Sequence, residues 1–314
     1  MPITTFAQVV EQTKEHPLRT LAVVVAEQES VLESVRDALA ANIARPLLYG
    51  SAAAIEEKAA KVGLDLTQAE VFDMPDDLTA AEQAVLACRA GEADILMKGQ
   101  IHTDDFLRAV LHKEKGLRSG NIMSHVFILE TTARGKLTFV TDAAMNIAPD
   151  LPTKAAIIMN AVFLANCFGI ECPKVGVLAA TELINPDMPA TLEAAALATM
   201  ERRGQFPNCT VDGPFALDNA VDFAAARTKG IAGDVAGDCD ILLCPDIESG
   251  NILAKAFAFL GGGKVAGVLI GAAAPVVLTS RADSAEAKLY SIATAVLNVN
   301  LCREGRLKIG KIHF

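Results

Sequence analysis

The residues able to do chemistry fall into polar segments, each following an apolar run. After Asp94–Met97 (DILM) come Lys98, Gly99, Gln100, Ile101, His102 and Thr103. After FVT comes the segment from Asp142 to Asn146, and after TVD the pair Gly213-Pro214. Asp212 closes that TVD run. After DILLC come Pro245, Asp246, Glu248 and Asn251, with Lys255 one turn later. After VVL come Thr279, Ser280, Arg281, Asp283 and Ser284. One such loop is ordinary turn chemistry. Five of them, carrying Lys, Arg, Asn, Ser and carboxylates, suggest one convergent site, because ligands of open α/β sheets bind outside the carboxyl ends of strands. Thr279-Ser280-Arg281 is the sharpest of the five. It stands just before the sequence Asp283-Ser-Ala-Glu286, a capping signal. A helix N-terminus offers free N–H groups and positive potential to a phosphate, and Arg281 adds a bidentate donor. The competing reading is that Ser280 and Ser284 only cap the helix while Arg281 makes a surface ion pair.

Other chemistries lack their residues. There is no GxxxxGK[ST], and Gly261-Gly262-Gly263 precedes a strand instead of following one, so it is not a dinucleotide fingerprint. His102 and His112 lie ten residues apart and share no ligand face. There is no GxSxG, and no Cys stands beside a His at nucleophile spacing. The seven cysteines contain no CxxC, and the pairs 167/172 and 239/244 do not match a zinc spacing. They read as small buried apolar side chains of a reducing compartment.

The elements that must position these loops alternate. Apolar runs at 18–26, 94–97, 174–180, 240–244 and 264–270 read as strands. Between them the spacing predicts helices from Ser30 (a capping box with Glu33) to about Ala41, from Ser51 to Gly63, and from Thr79 (a box with Glu82) to about Gly91. Further helices are expected from Thr103 through His112, after Asp150 towards Gly169, over 191–203, over 251–260, and from Asp283 to about Asn300. Segments 126–130 and 136–140 read as a hairpin. Strands alternating with helices mean α/β with a largely parallel sheet, and continuous apolar strands mean both faces are covered.

The chain has 314 residues, long enough for two domains. Residues 141–149 are the best crossing between them. The hydrophobic share of 52% is that of a globular protein. A net charge of −10 argues against nonspecific binding to nucleic acid or anionic membrane, and the absence of Trp against a base-stacking surface. No secretory signal is visible near the N-terminus. Residues 256–278 are apolar enough to imitate a membrane span, but Gly261-Gly-Gly-Lys264 splits them. A cytoplasmic enzyme is expected.

At the same loops the sequence resembles the phosphate acetyltransferase/phosphate butyryltransferase family. The matching segments are ADILMKGQIHTDDFLRAVL (93–111), TDAAMNIAPDL (141–151), VDGPFALDNAV (211–221), AGDCDILLCPDIESGNILAK (236–255) and APVVLTSRADS (274–284), in family order. The resemblance implies conversion of acyl-CoA and inorganic phosphate to acyl phosphate and CoA. It implies two α/β domains with largely parallel sheets and an interdomain cleft, similar to the isocitrate and isopropylmalate dehydrogenases. The first domain would comprise 1–142 plus 276–314, with 143–275 inserted. Lys98-Gly99, Met145-Asn146-Ile147 and the tail after Ser280-Arg281 are similar to the butyryl branch. Ser280 and Arg281 match the family's catalytic pair, with Asn146 and Glu286 as further catalytic candidates. Arg108 matches an arginine of the cleft. Lys98, His102, Thr103, Asp212, Asp246, Glu248, Asn251, Lys255 and Thr279 are candidates for substrate binding. The acetyl branch carries a catalytic Asp where this chain has Ala287; Glu286 is adjacent and Asp283 lies earlier. The resemblance implies no metal or redox cofactor, CoA only as substrate or product, and a homodimer or higher homo-oligomer. The alternatives are a phosphate acetyltransferase acting on acetyl-CoA, a metal- and NAD-dependent dehydrogenase of similar fold, and a non-catalytic sensor of CoA or acyl phosphates.

Overall fold

The computed structural model describes residues 1–131, 133–305 and 307–312. Its strands in chain order are β1 (Arg19–Val24), β2 (Ala44–Gly50), β3 (Glu70–Asp73), β4 (Ile95–Lys98), β5 (Ser124–Glu130), β6 (Leu137–Thr141), β7 (Lys174–Leu178), β8 (Thr210–Phe215), β9 (Ile241–Leu243), β10 (Lys264–Ile270) and β11 (Val276–Val277). Its α-helices are α1 (Phe6–Thr13), α2 (Glu29–Ala40), α3 (Ala52–Val62), α4 (Asp77–Ala90), α5 (Thr103–Val110), α6 (Leu151–Cys167), α7 (Pro189–Arg202), α8 (Leu217–Val221), α9 (Phe223–Thr228), α10 (Ile247–Lys255) and α11 (Ala285–Arg303).

The chain divides into two compact units. One holds Phe6–Asn121 and Ala266–Arg306; the other holds Met1–Thr5, Ile122–Val265 and Leu307–Phe314. These borders correct those read from the sequence, 142/143 and 275/276. The hairpin at 126–140 belongs to the inserted unit, because β5 and β6 pair antiparallel and β6 then pairs in parallel with β9. Residues 266–275 belong to the other unit, because β10 pairs with β11 and Arg118 bridges Ala272.

In the discontinuous unit the strand order is β3-β2-β1-β4-β11-β10, and all pairs but the last are parallel. In the inserted unit the order is β5-β6-β9-β7-β8, parallel from β6 onward. β4 and β9 are buried along their whole length, as the unbroken apolar runs required.

Several caps differ from the sequence reading. Gln28, not Ser30, precedes α2. Asp76 caps α4, accepting from the Thr79 backbone N–H at 2.8 Å and its hydroxyl at 2.6 Å. His102 precedes α5 without a side-chain cap, so Thr103 is the first helical residue. Helix α10 begins at Ile247, capped by Asp246, and passes into a π-helical turn at Ala256–Leu260. Ser284 caps α11 in place of Asp283, accepting from Ala287 N–H at 3.1 Å. Asp150 and Ser51 cap as expected. Strand β2 contains Pro46, a residue that argues against an inner strand, yet it pairs with both β1 and β3. Among the described residues no helix is long and apolar enough to cross a membrane.

Candidate functional site

Parallel pairing brings the loops of the discontinuous unit to one sheet edge. Val24 lies opposite Lys98, and Met97 opposite Val277, so the segments after β1, β4 and β11 leave side by side. Gly99 permits their close approach: a Cβ there would lie 2.3 Å from the Val25 carbonyl oxygen. Val25 itself has φ 52°, a left-handed conformation that a β-branched residue adopts only when its surroundings impose it. The Gln100 N–H, donating to Val25 O at 2.9 Å, is one such constraint.

Lys98 closes β4 and is 2% exposed. Its ammonium donates to Gly99 O at 3.3 Å, a long bond for a buried charge. Burial, then the neighbouring Arg281 and Lys288 cations, push its pKa down to about 8, against the pull of Asp283. Thr279 is 6% exposed, and its buried hydroxyl oxygen has no hydrogen-bond partner among the described residues.

The Ser280–Ser284 segment is pinned from several sides. Ser280 N–H donates to Asp283 Oδ2 at 2.7 Å, and Asp283 N–H returns to Ser280 O at 3.1 Å. Gln28 Nε2 donates to Arg281 O at 2.8 Å across 253 residues of sequence. Lys288 Nζ donates to Asp283 O. Ser280 Oγ accepts from Ala282 N–H at 3.3 Å, which leaves its own proton free to donate. The Arg281 guanidinium, by contrast, has no hydrogen bond or ion pair among the described residues. It borders a hollow of about 450 Å³ with Gln28, Ser30, Lys58 and Gln100, and with two carboxylates that are already engaged, Glu27 by the Ser51 N–H and Glu29 by Lys58. A rigid backbone presenting an unengaged, bidentate cation beside a buried ammonium is an anion-binding arrangement.

Other predicted residues of this unit stand apart. Arg108 is 71% exposed at its side chain and pairs with Asp105 at 2.8 Å. It lines a separate hollow of about 250 Å³ with Leu78, Glu82 and His112. Glu286 accepts from Tyr290 OH at 2.5 Å, down the helix and away from Ser280. The carboxylate that reaches Ser280 is Asp283. His102 and Thr103 lie exposed at the start of α5.

The inserted unit holds a second cluster. Asp142, 2% exposed, organises it. Its carboxylate accepts backbone N–H bonds from His125, Ala144, Met145 and Asn146 at 3.0–3.2 Å, and a side-chain bond from Asn146 Nδ2 at 2.5 Å. Asn146 Nδ2 also donates to Met123 O at 2.9 Å. Both its amide protons therefore hold the loop, and none is left to support a leaving group. Asn251 Nδ2 donates to Ala143 O at 2.9 Å. Gly250 lets α10 approach, since a Cβ there would lie 2.5 Å from Asp142 O. Asp246 accepts from Ser249 N–H and Oγ as the α10 cap, and Glu248 is exposed in the first turn. Asp212 sits within β8, three strands from β6 and so roughly 14 Å away. Lys255 is exposed at the far end of α10, roughly 12 Å along its axis from Ile247.

Removing the Asp142 carboxylate is expected to strand these donors. Asp142→Ala should lower stability by about 3 kcal/mol. The urea midpoint measures this; an unchanged midpoint would show that the loop holds without its anion.

Sequence reasoning named Asp142 only as the start of a polar segment, without a role, and missed Gln28 and Lys288. Neither carried a local signal: Gln28 stands in the polar stretch EQES, and Lys288 directly precedes the run LYSIATAVL as a surface lysine could. The cysteines are free. Burial pushes Cys88, Cys209, Cys239 and Cys244 up to about 12, so they remain thiols and poor nucleophiles. Among the described residues no group of three or more His, Cys, Asp or Glu is placed to hold a metal ion.

The family described as "Phosphate acetyl/butaryl transferase" matches residues 77–296. A phosphate butyryltransferase of Clostridium beijerinckii is 45% identical over 93% of this chain and 97% of its own. A phosphate acetyltransferase of Thermotoga maritima is 43% identical over 89% and 95%. Among solved structures, a branched-chain phosphotransacylase from Enterococcus faecalis superposes with a TM-score of 0.79 at 33% identity, covering 90% of this chain and 99% of that one. A 4-hydroxythreonine-4-phosphate dehydrogenase from Klebsiella pneumoniae shares the fold alone, with a TM-score of 0.54 at 13% identity over 90% and 99% of the two chains.

Proposed function

The chain belongs to the phosphate acetyl/butyryl transferase family, and from that premise we propose that it transfers a short acyl group, butyryl or one of similar size, from CoA to inorganic phosphate. The observation that carries this reading is the pinned 280–284 segment, with its unengaged Arg281 beside buried Lys98. Phosphate near neutral pH is already divided between its mono- and dianion, so the dianion needs positioning more than deprotonation. Arg281 and Lys98 orient the dianion, and the unpartnered Thr279 hydroxyl offers it a further bond. A phosphate oxygen forms the new C–O bond and the C–S bond breaks. The proton brought by hydrogen phosphate ends on the CoA sulfur, which leaves acyl phosphate and CoA thiol. In this reading the Ser280 hydroxyl donates to the developing oxyanion, an effect of roughly 3 kcal/mol for such donors. Direct attack needs neither a carboxylate base nor a cofactor beyond CoA itself. The dehydrogenase alternative has only a likeness of fold behind it. The same reading makes this a cytoplasmic homodimer or higher homo-oligomer; sedimentation of the purified chain tests the assembly.

A phosphate-dependent CoA-release assay across acetyl-, propionyl- and butyryl-CoA tests the activity. Release of thiol only with phosphate is expected, and nicotinamide reduction in its place would overturn the reading. Met145 is half-buried and Ile147 is 69% exposed on the Asp142 loop. If these apolar groups meet the acyl chain, two extra methylenes favour butyryl over acetyl by roughly tenfold in kcat/KM. Met145→Phe should then selectively hurt butyryl-CoA. Equal or better turnover of acetyl-CoA would assign the chain to acetyl transfer with the chemistry unchanged.

A further inference from the structure

Lys288 lies one turn into α11 and is 1% exposed. A lysine so deeply buried is costly unless its charge is used. Burial lowers its pKa, and Asp283 opposes that shift. Its ammonium donates to the carbonyl of Asp283. Asp283 in turn binds Ser280 twice, through its carboxylate and its backbone N–H. Lys288 therefore reaches the Ser280-Arg281 pair through a single residue. A neutral side chain of similar length cannot make this bond, and a shorter amide cannot span it. Lys288 is also one of the two cations whose charge bears on Lys98.

We propose that Lys288 is a positioning residue for phosphate, whose buried ammonium fixes the Asp283 end of the Ser280–Ser284 loop and so the direction in which Arg281 presents its guanidinium. The inference rests on the reading of Ser280-Arg281 as the phosphate site. Gln28 holds the same loop at Arg281 O from the side of α2, so the loop is clamped at two points. Loss of one clamp should loosen the aim of Arg281 without abolishing the fold.

Lys288→Met and Lys288→Gln test this in the full chain, with phosphate and butyryl-CoA each varied at saturating partner. The expected result is a rise of about tenfold or more in the phosphate KM, with the butyryl-CoA KM changed by less than about twofold. That split between the two KM values is the readout a purely structural lysine would not produce, and the pH profile checks separately that the Lys288 charge bears on Lys98. With one cation beside Lys98 removed, the alkaline limb of kcat/KM should shift to higher pH, Arg281 and Asp283 remaining as its charged neighbours. An unchanged phosphate KM and an unmoved limb would overturn the proposal. Failure of both variants to fold would also overturn it, in favour of a folding role. Arg281→Lys measured alongside separates the two layers. If that variant is impaired while Lys288→Met is normal, only this inference falls; if Arg281→Lys is itself near wild type, the phosphate site lies elsewhere.

Discussion

Arg281→Lys is expected to lower kcat/KM by about 10²- to 10³-fold, the scale set by loss of one preorganised donor to developing charge. The fold should survive, because the Arg281 side chain has no partner among the described residues and its backbone is held by Gln28. What changes is geometry. A guanidinium offers two parallel N–H donors to two phosphate oxygens, whereas an ammonium is a point charge on a shorter, rotating stem. The loop can afford no slack in compensation, being tied at Ser280, Arg281 and Asp283. Steady-state kinetics with phosphate and acyl-CoA, beside a circular-dichroism melt, check this. A folded variant with near-wild-type kinetics towards both substrates would remove Arg281 from the site.

Lys98→Met is expected to cost about 10²-fold in kcat/KM, since it deletes a buried charge-assisted donor. The stronger expectation concerns pH. In the free protein Lys98 loses its proton as pH rises through about 8, because burial and two flanking cations disfavour its charge. Activity should therefore fall on the alkaline side of that value. Bound phosphate favours the ammonium form, so the limb in kcat should lie at higher pH than the limb in kcat/KM. Lys98→Met has no proton to lose there, and its residual activity should show neither limb. Profiles measured from about pH 6 to pH 10 decide the matter. A limb near 8 that persists in the variant would belong to another group.

The sequence by itself determined the alternation of strands and helices, hence a parallel α/β architecture, because apolar periodicity and capping residues are local signals. It determined that the polar segments follow strand ends, and so that Lys98, Thr279, Ser280 and Arg281 would gather at one sheet edge. It could not decide which polar residues face that edge and which are spent elsewhere. Arg108 pairs with Asp105, Glu286 with Tyr290, and Asn146 with Asp142 and Met123, and each of these depends on side-chain direction. The unit borders also escaped it, because the strand partner that claims the 126–140 hairpin is β9, about a hundred residues further on. Burial was the remaining decision of the tertiary structure. Nothing in the local sequence distinguishes Lys98 and Lys288 from surface lysines. Only the packing of β1 and β11 around β4, and of α11 against its sheet, takes them out of water and makes their charge available to a phosphate.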